Sequence, residues 1–190
     1  VCLVLGIWKI SDPGATSLMA YRKLTAGTAI KPVRYLPLTS IPVSARNAFI
    51  TLEDHDFWEH WGISPEAIKD AIERNRQIGR TVYGASTITQ QTARTLFLVP
   101  DRNWVRKYLE AGTAILMELI LGKRRILELY LNYIEFGPGV FGLGSAARHH
   151  YGVAFNSLSA EQRIRLAVII TSPLRYDVQT LWKNRGMVAR

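Results

Sequence analysis

The chain has a single cysteine, Cys2, in 190 residues, so no disulfide can close within it and no zinc site can be built on thiolates. No HExxH pair of histidines occurs, and no recognised nucleic-acid fold or motif appears. The apolar run Val1–Trp8 is too short to cross a bilayer, which takes about 20 residues. No charged leader and cleavage site marks a signal peptide. No stretch alternates apolar and polar residues as a sustained strand would, no internal repeat is visible, and no Pro/Ser-rich linker interrupts 44–175. These absences leave a mainly helical, single compact unit.

Acidic residues are also scarce: 15 against 24 Lys and Arg, a net charge of +9. That imbalance points to an anionic partner, which composition alone leaves as nucleic acid, anionic lipid or a phosphate-bearing substrate. The 48% hydrophobic content is enough for a real core and excludes a disordered chain. The sequence starts at Val1 rather than Met and reads as a fragment or processed form. Residues 1–10 then read as the end of a truncated transmembrane helix with Trp8 and Lys9 at the interface, or as a short buried helix or strand.

Pro13, Gly14, Gly27, Pro32, Pro37 and Pro42 make 11–43 read as a loop-rich leading segment, ahead of a main domain over 44–190. Helical spacing predicts a helix over 43–52, burying Ala45, Ala48, Phe49 and Leu52. Ser64-Pro65 reads as a cap and first turn of a helix burying Ala67, Ile68, Ala71, Ile72 and Ile78, with Gly79 as its stop. Asp101 is expected to cap a long helix with Trp104, Tyr108, Ile115 and Leu119 inward, broken at Gly122 before the pattern resumes at Ile126. Ser159 with Gln162 forms a capping box for a last helix.

Four constellations carry chemistry, each with a plainer alternative. Glu53–Gly62 packs Glu53, Asp54, Asp56, His55 and His60 among Phe57, Trp58 and Trp61. A carboxylate against aromatic walls is desolvated and suits general-base work, but a polar helix end over packed aromatics looks the same. A metal held by His55, His60 and the Asp residues is disfavoured, and the neighbours His149 and His150 should point apart on a helix. Gly84–Thr95 combines a capping box (Thr87, Gln90) with hydroxyls, carboxamides and Arg94, which is a good helix start and equally a seat for sugar or phosphate. Arg106-Lys107 with Glu110 is either a surface ion pair or a diphosphate cradle. Lys123–Asn132 and the glycines that follow read mostly as scaffold.

Taken in order, these segments resemble the bacterial peptidoglycan glycosyltransferases (transglycosylases). The family's first motif is matched by Glu53, Asp54, Phe57, His60 and Gly62, and its second by Gly84 and Ser86–Gln91. The third is matched by Arg106, Lys107 and Glu110, and the fourth by Lys123, Ile126, Leu127, Glu128, Tyr130, Leu131 and Asn132. The likeness covers about residues 45–175 and is nearest to the monofunctional members. Arg94 and Thr95 depart from it, standing where the family usually has lysine and asparagine.

The resemblance implies a lysozyme-like helical fold with a smaller membrane-facing lobe. It implies polymerisation of lipid II, an undecaprenyl-diphosphate-linked disaccharide-peptide, onto a growing glycan chain. Glu53 would be the general base and Glu110 a donor-side catalytic residue, through a divalent metal (Mg or Mn). Asp54, His60, Ser86, Thr87, Gln90, Gln91, Arg94, Arg106, Lys107 and Asn132 would contact substrate. The implied setting is the bacterial inner membrane, single-pass, with the catalytic domain on the periplasmic or outer face. Cell-division or cell-wall synthesis proteins are the implied partners, with no nucleic acid. A lysozyme-like glycan-cleaving enzyme and a non-catalytic precursor-binding protein are the rival readings.

Overall fold

A computed structural model describes residues 1–101 and 103–181. The architecture is helical, as expected. Its leading segment is more ordered than the prolines and glycines suggest. After a short helix α1 (Cys2–Trp8) comes a second, α2 (Ser17–Ala26), where the sequence reads as loop. The punctuating residues bracket this helix instead of breaking it. The Thr16 hydroxyl caps its start by accepting from the Met19 N–H, and Gly27 ends it in the left-handed region.

The expected helices follow as α3 (Val43–Glu53), α4 (Pro65–Gln77), α5 (Ile88–Phe97), α6 (Trp104–Ile120), α7 (Lys123–Tyr133), α8 (Leu143–Tyr151) and α9 (Ala160–Ile169). Ser64 caps α4 and Gly79 lies just past its end with positive φ; capping boxes open α5 and α9 as predicted. Asn103, not Asp101, caps α6, accepting from the Arg106 N–H at 2.7 Å. A two-stranded antiparallel hairpin, β1 (Glu135–Gly137) and β2 (Val140–Phe141), sits between α7 and α8 and is too short to show a period-2 pattern.

α5 is the axis of the molecule. Eight of its ten residues are buried, and it packs against α2, α6 and α7, while α3 packs on α9. Much of what α5 buries is polar: Thr89, Gln90, Gln91, Thr92 and Thr95. Burying such groups is costly without partners, and those described below supply them. The apolar core lies beneath, with Phe49, Phe57, Ile126, Leu127, Leu131, Phe136, Phe141 and Leu166 each at most 1% exposed.

Two helix faces run opposite to expectation. On α4 only Ala71 is buried, and Ile68, Ile72 and Ile78 are exposed. On α6 the predicted inward stripe Trp104, Tyr108, Ile115 and Leu119 faces out, while Glu110, Thr113, Ala114, Met117 and Glu118 face in. Periodicity located these helices correctly, but the rule that the apolar face turns inward failed, because the inward face carries the polar site instead. His149 and His150 also do not point apart. Their ring centroids are 4.6 Å apart, since side chains leaving a helix about 100° apart can still lean together, and His150 Nε2 reaches the Phe136 carbonyl at 3.0 Å.

Candidate active site

Glu53 is the last residue of α3, and Asp54 follows as its C-cap. The chain turns at once into the aromatic loop, so Glu53 stands half-buried at a helix end rather than on an exposed face. Its Oε2 accepts from Gln91 Nε2 on α5 at 3.0 Å. The same amide nitrogen donates to the Ser86 carbonyl at 3.2 Å, and Gln91 Oε1 accepts from the Tyr130 hydroxyl at 3.4 Å. Tyr130 is fully buried on α7, and its phenol is pushed well above the ordinary value, first by burial and then by the Glu53 charge.

A cleft of about 750 Å³ opens beside Glu53. Of the residues chosen from sequence, Glu53, Asp54, Ser86, Thr87, Gln91 and Arg94 line it. Its far wall holds two residues that sequence reasoning missed. Arg74, which reads as a solvated surface charge, lies over the Tyr83 ring at 5.6 Å, and both line the cleft. Asn75 fixes that wall, accepting from the Val82 and Tyr83 N–H groups at 2.7 and 2.8 Å and donating to the Tyr83 carbonyl at 2.9 Å. No sequence pattern signals this, because the clamp spans a helix and an irregular loop.

Asp54 lies at the inner wall of the cleft and His60 behind it. Asp54 Oδ2 accepts from the Ile88 N–H at 2.7 Å, tying the end of α3 to the start of α5. His60 Nε2 lies 2.9 Å from Asp54 Oδ1, and the Gly62 N–H donates to His60 Nδ1 at 3.0 Å. The Nδ1 atom therefore carries no proton, and Nε2–H is the donor to Asp54. Lys123 closes the knot, 2.8 Å from Glu118 and 4.4 Å from the centre of the Phe57 ring. Glu118 also accepts from the Thr89 hydroxyl at 2.6 Å. Gly62 is required here: φ is +84°, and a Cβ would come within 3.1 Å of the Ala114 backbone on α6. Asp56 has its carboxyl lowered overall: burial pushes it up, but the Ser64 hydroxyl and other hydrogen bonds outweigh that. Asp54, Asp56 and His60 lie within 4.8 Å of one another, and both ring nitrogens of His60 are engaged inside this knot, by Asp54 and by the Gly62 N–H, so the histidine acts there as a brace.

Thr87 and Gln90 are likewise structural in their contacts. They form the capping box of α5, and the Thr87 hydroxyl also bonds the Gly62 carbonyl at 2.7 Å. Asn132 is not brought to the cleft. It is fully buried, and its amide is spent on the Leu36 N–H, the Leu36 carbonyl and the Glu128 carbonyl, pinning the extended leading segment onto α7. A carboxamide that looks like a ligand in sequence is here a buried clamp.

The third motif forms a cationic cluster around one carboxylate. Glu110 is fully buried; Arg106 Nη1 lies 2.5 Å from its Oε2, Lys107 Nζ 2.7 Å from its Oε1, and Arg94 Nη1 3.8 Å from Oε2. Lys107 also reaches the Ser86 hydroxyl at 3.0 Å, which joins the cluster to the cleft wall. Three cations against one carboxylate leave two net positive charges, an arrangement suited to a diphosphate. The donor set at Glu110 does not suit a divalent metal, because both oxygens already bond cations and a third stands beside them.

The sequence profile of the transglycosylase family matches residues 23–189. The chain belongs to that family. It is similar to the biosynthetic peptidoglycan transglycosylase of Nitrosospira multiformis, 41% identical over 174 residues that make up 90% of this chain and 76% of that protein. The protein of the same description from Burkholderia pseudomallei is 40% identical, over 98% of this chain and 76% of its own. The one from Ectopseudomonas mendocina is 41% identical, over 92% and 73%. As a transglycosylase the chain is a glycosyltransferase, and the helical fold expected for that family is the one observed.

Proposed function

We propose that this transglycosylase extends peptidoglycan glycan from lipid II, with Glu53 as the base and the Arg94–Arg106–Lys107 cluster as the diphosphate site. The observation that carries the reading is one cleft edged by both groups: a half-buried carboxylate at one place, a net-positive cluster joined through Ser86 at another. The 4-hydroxyl of the acceptor disaccharide attacks the anomeric carbon of the growing chain and gives its proton to Glu53. The bond from that carbon to the diphosphate oxygen breaks, the configuration inverts, and undecaprenyl diphosphate leaves carrying the electron pair. The cations offset charge that builds on the leaving group, and such preorganised donors supply much of an enzyme's rate. Glu110 acts by holding those cations in place, not by touching sugar.

Glycan cleavage fits less well. A hydrolase needs a second free carboxylate about 5 to 9.5 Å from the first. Glu110 is enclosed by cations and Asp54 is committed to His60 and the Ile88 N–H, which leaves Asp56 and Asp70 as the other cleft carboxylates, and cleavage of a neutral glycan gives the cationic cluster no task.

The outward stripe of α6 belongs to the same reading. Trp104, Tyr108 and Leu119 are 81%, 76% and 65% exposed, on a helix whose stripe runs about 22 Å. Exposed apolar surface of this extent marks an interaction face, and a lipid-linked substrate supplies the partner: a membrane surface. No helix of the described residues is long and apolar enough to cross a membrane. The decisive experiment is polymerisation of lipid II by Glu53→Gln, beside a second tube holding finished glycan. The variant should lose at least about a thousandfold in rate, consistent with loss of an essential base. Near-parental polymerisation would remove Glu53 from the mechanism, and shortening of glycan by the parent would favour cleavage.

A further inference from the structure

The motif residue Tyr130 has no place in the transfer as described, yet it lies one side chain behind Glu53. It is 1% exposed, and among the described residues Gln91 is the one hydrogen-bond partner of its hydroxyl. Gln91 is 7% exposed and presents a carboxamide whose two ends differ chemically. The Nε2 end faces two acceptors, Glu53 Oε2 and the Ser86 carbonyl; the Oε1 end faces the one donor, Tyr130. All three contacts agree on one orientation of the amide, and reversing it would set an oxygen against a carboxylate and a carbonyl.

We propose that Tyr130 is a positioning residue for the transfer, its hydroxyl holding the Gln91 carboxamide so that an N–H donor always faces Glu53. This rests on the reading of Glu53 as the base. A donor on the carboxylate helps to hold its orientation, and it favours the ionised form that can take a proton. Burial keeps the phenol protonated, so it remains a donor across the working range. Other charged or titratable side chains line the same cleft: Asp54, His55 and Asp56 after α3, Asp70 and Arg74 on α4, and Arg94 on α5, with Lys107 joined to it through Ser86. Among the described residues, α9 and the turn after it bring Ala167, Val168, Ile170 and Thr171 to this cleft, with no titratable group. None of these is altered by removing one hydroxyl.

The test is a double-mutant cycle on lipid II polymerisation with full pH profiles, using Tyr130→Phe, Gln91→Met and the pair. Tyr130→Phe should lower turnover about five- to tenfold, the effect of one buried hydrogen bond, and move the acid limb of the profile to higher pH. In the Gln91→Met background the same change should cost less than about twofold, since its target is gone. Equal losses in both backgrounds, or an acid limb that stays in place, would make Tyr130 a packing residue and overturn the proposal. If Tyr130→Phe melts far below the parent, Gln91→Met alone decides: its acid limb must move upward, and an unmoved limb overturns the proposal. Glu53→Gln, run alongside, separates the two ideas. An inactive Glu53→Gln with additive losses rejects Tyr130's role alone, and an active one rejects the base assignment on which it rests.

Discussion

Replacing Glu110 by glutamine tests what that carboxylate does, because the two roles open to it predict opposite signs. The side chain is fully buried, while Arg106, Lys107 and Arg94 around it are 18%, 41% and 37% exposed. Glutamine keeps the shape and one acceptor but removes the charge, so three cations face one another unopposed. Breaking a buried ion pair costs about 3 to 5 kcal/mol, and solvent around the partly exposed partners cuts this to about 2 kcal/mol. For a domain of this size that is a fall in Tm of about 4 to 8 °C. Turnover should fall about a hundredfold as Arg106 and Lys107 lose the anchor that aims them. Affinity for inorganic diphosphate should nevertheless rise. The cluster goes from two net charges to three, and one extra charge about 6 Å away in a largely hydrated groove is worth about 1 kcal/mol, or roughly fivefold. A carboxylate that served to hold a divalent metal predicts the reverse, weaker diphosphate binding on its loss. The measurement is inhibition of polymerisation by diphosphate, with thermal melting in parallel. Unchanged melting and unchanged or weaker diphosphate binding would refute the cluster argument.

Three further outcomes are expected. Arg94→Ala should slow polymerisation about thirtyfold and Arg94→Lys only a few-fold, because the cation matters more than its fork; Arg76→Ala, on the exposed end of α4, should cost almost nothing and serves as the control. Changing Trp104, Tyr108 and Leu119 together to serine should weaken binding to anionic lipid vesicles at least tenfold while leaving Tm within a few degrees, since these side chains are exposed; unchanged vesicle binding would remove α6 from the membrane face. The His149 imidazole is held below its ordinary 6.5 by burial and then by His150 and Lys31, so the folded state takes up fewer protons there than the unfolded one. Its contribution is intact above about 6.5 and is lost as pH falls through the lowered folded value, so His149→Gln should flatten the acid-side decline in Tm, and an unchanged slope would sink the assignment.

Helix positions were legible because caps and stops are local chemistry. Thr87 with Gln90, Ser159 with Gln162, Ser64-Pro65, Gly79 and Gly122 each act within a turn of where they stand. The same local chemistry bounds α2 between Thr16 and Gly27, although the prolines around it favour loop. Tertiary partners were not legible. Asn132 and Gln91 are both carboxamides inside motifs, yet one is spent on the backbone of the leading segment and the other faces Glu53. Nothing within a few residues of either distinguishes them. Arg74 and Tyr83 meet across a loop of no regular structure, so their place on the cleft wall had no periodic signature.

The inverted face of α6 shows why apolar pattern and burial can separate in an enzyme of this kind. Glu110 and Glu118 must both lie inward, one to gather Arg94, Arg106 and Lys107, the other to receive Thr89 and Lys123 behind His60. They are eight residues apart and so lie within about 80° of each other around the helix, which commits a single face to the polar work. Gly62 lies against the Ala114 backbone on that face, where a side chain at 62 would not fit. The apolar residues are left to the opposite side, where water alone would make Trp104 and Tyr108 a liability to solubility. A soluble substrate would give no reason to keep them. On the proposed function, a substrate whose diphosphate enters the cleft while its polyprenyl tail stays in a bilayer would give one: the helix that gathers the Arg94–Arg106–Lys107 charges inward would also meet the lipid outward, so that seating on the membrane and aligning charge for the leaving group would follow from one element.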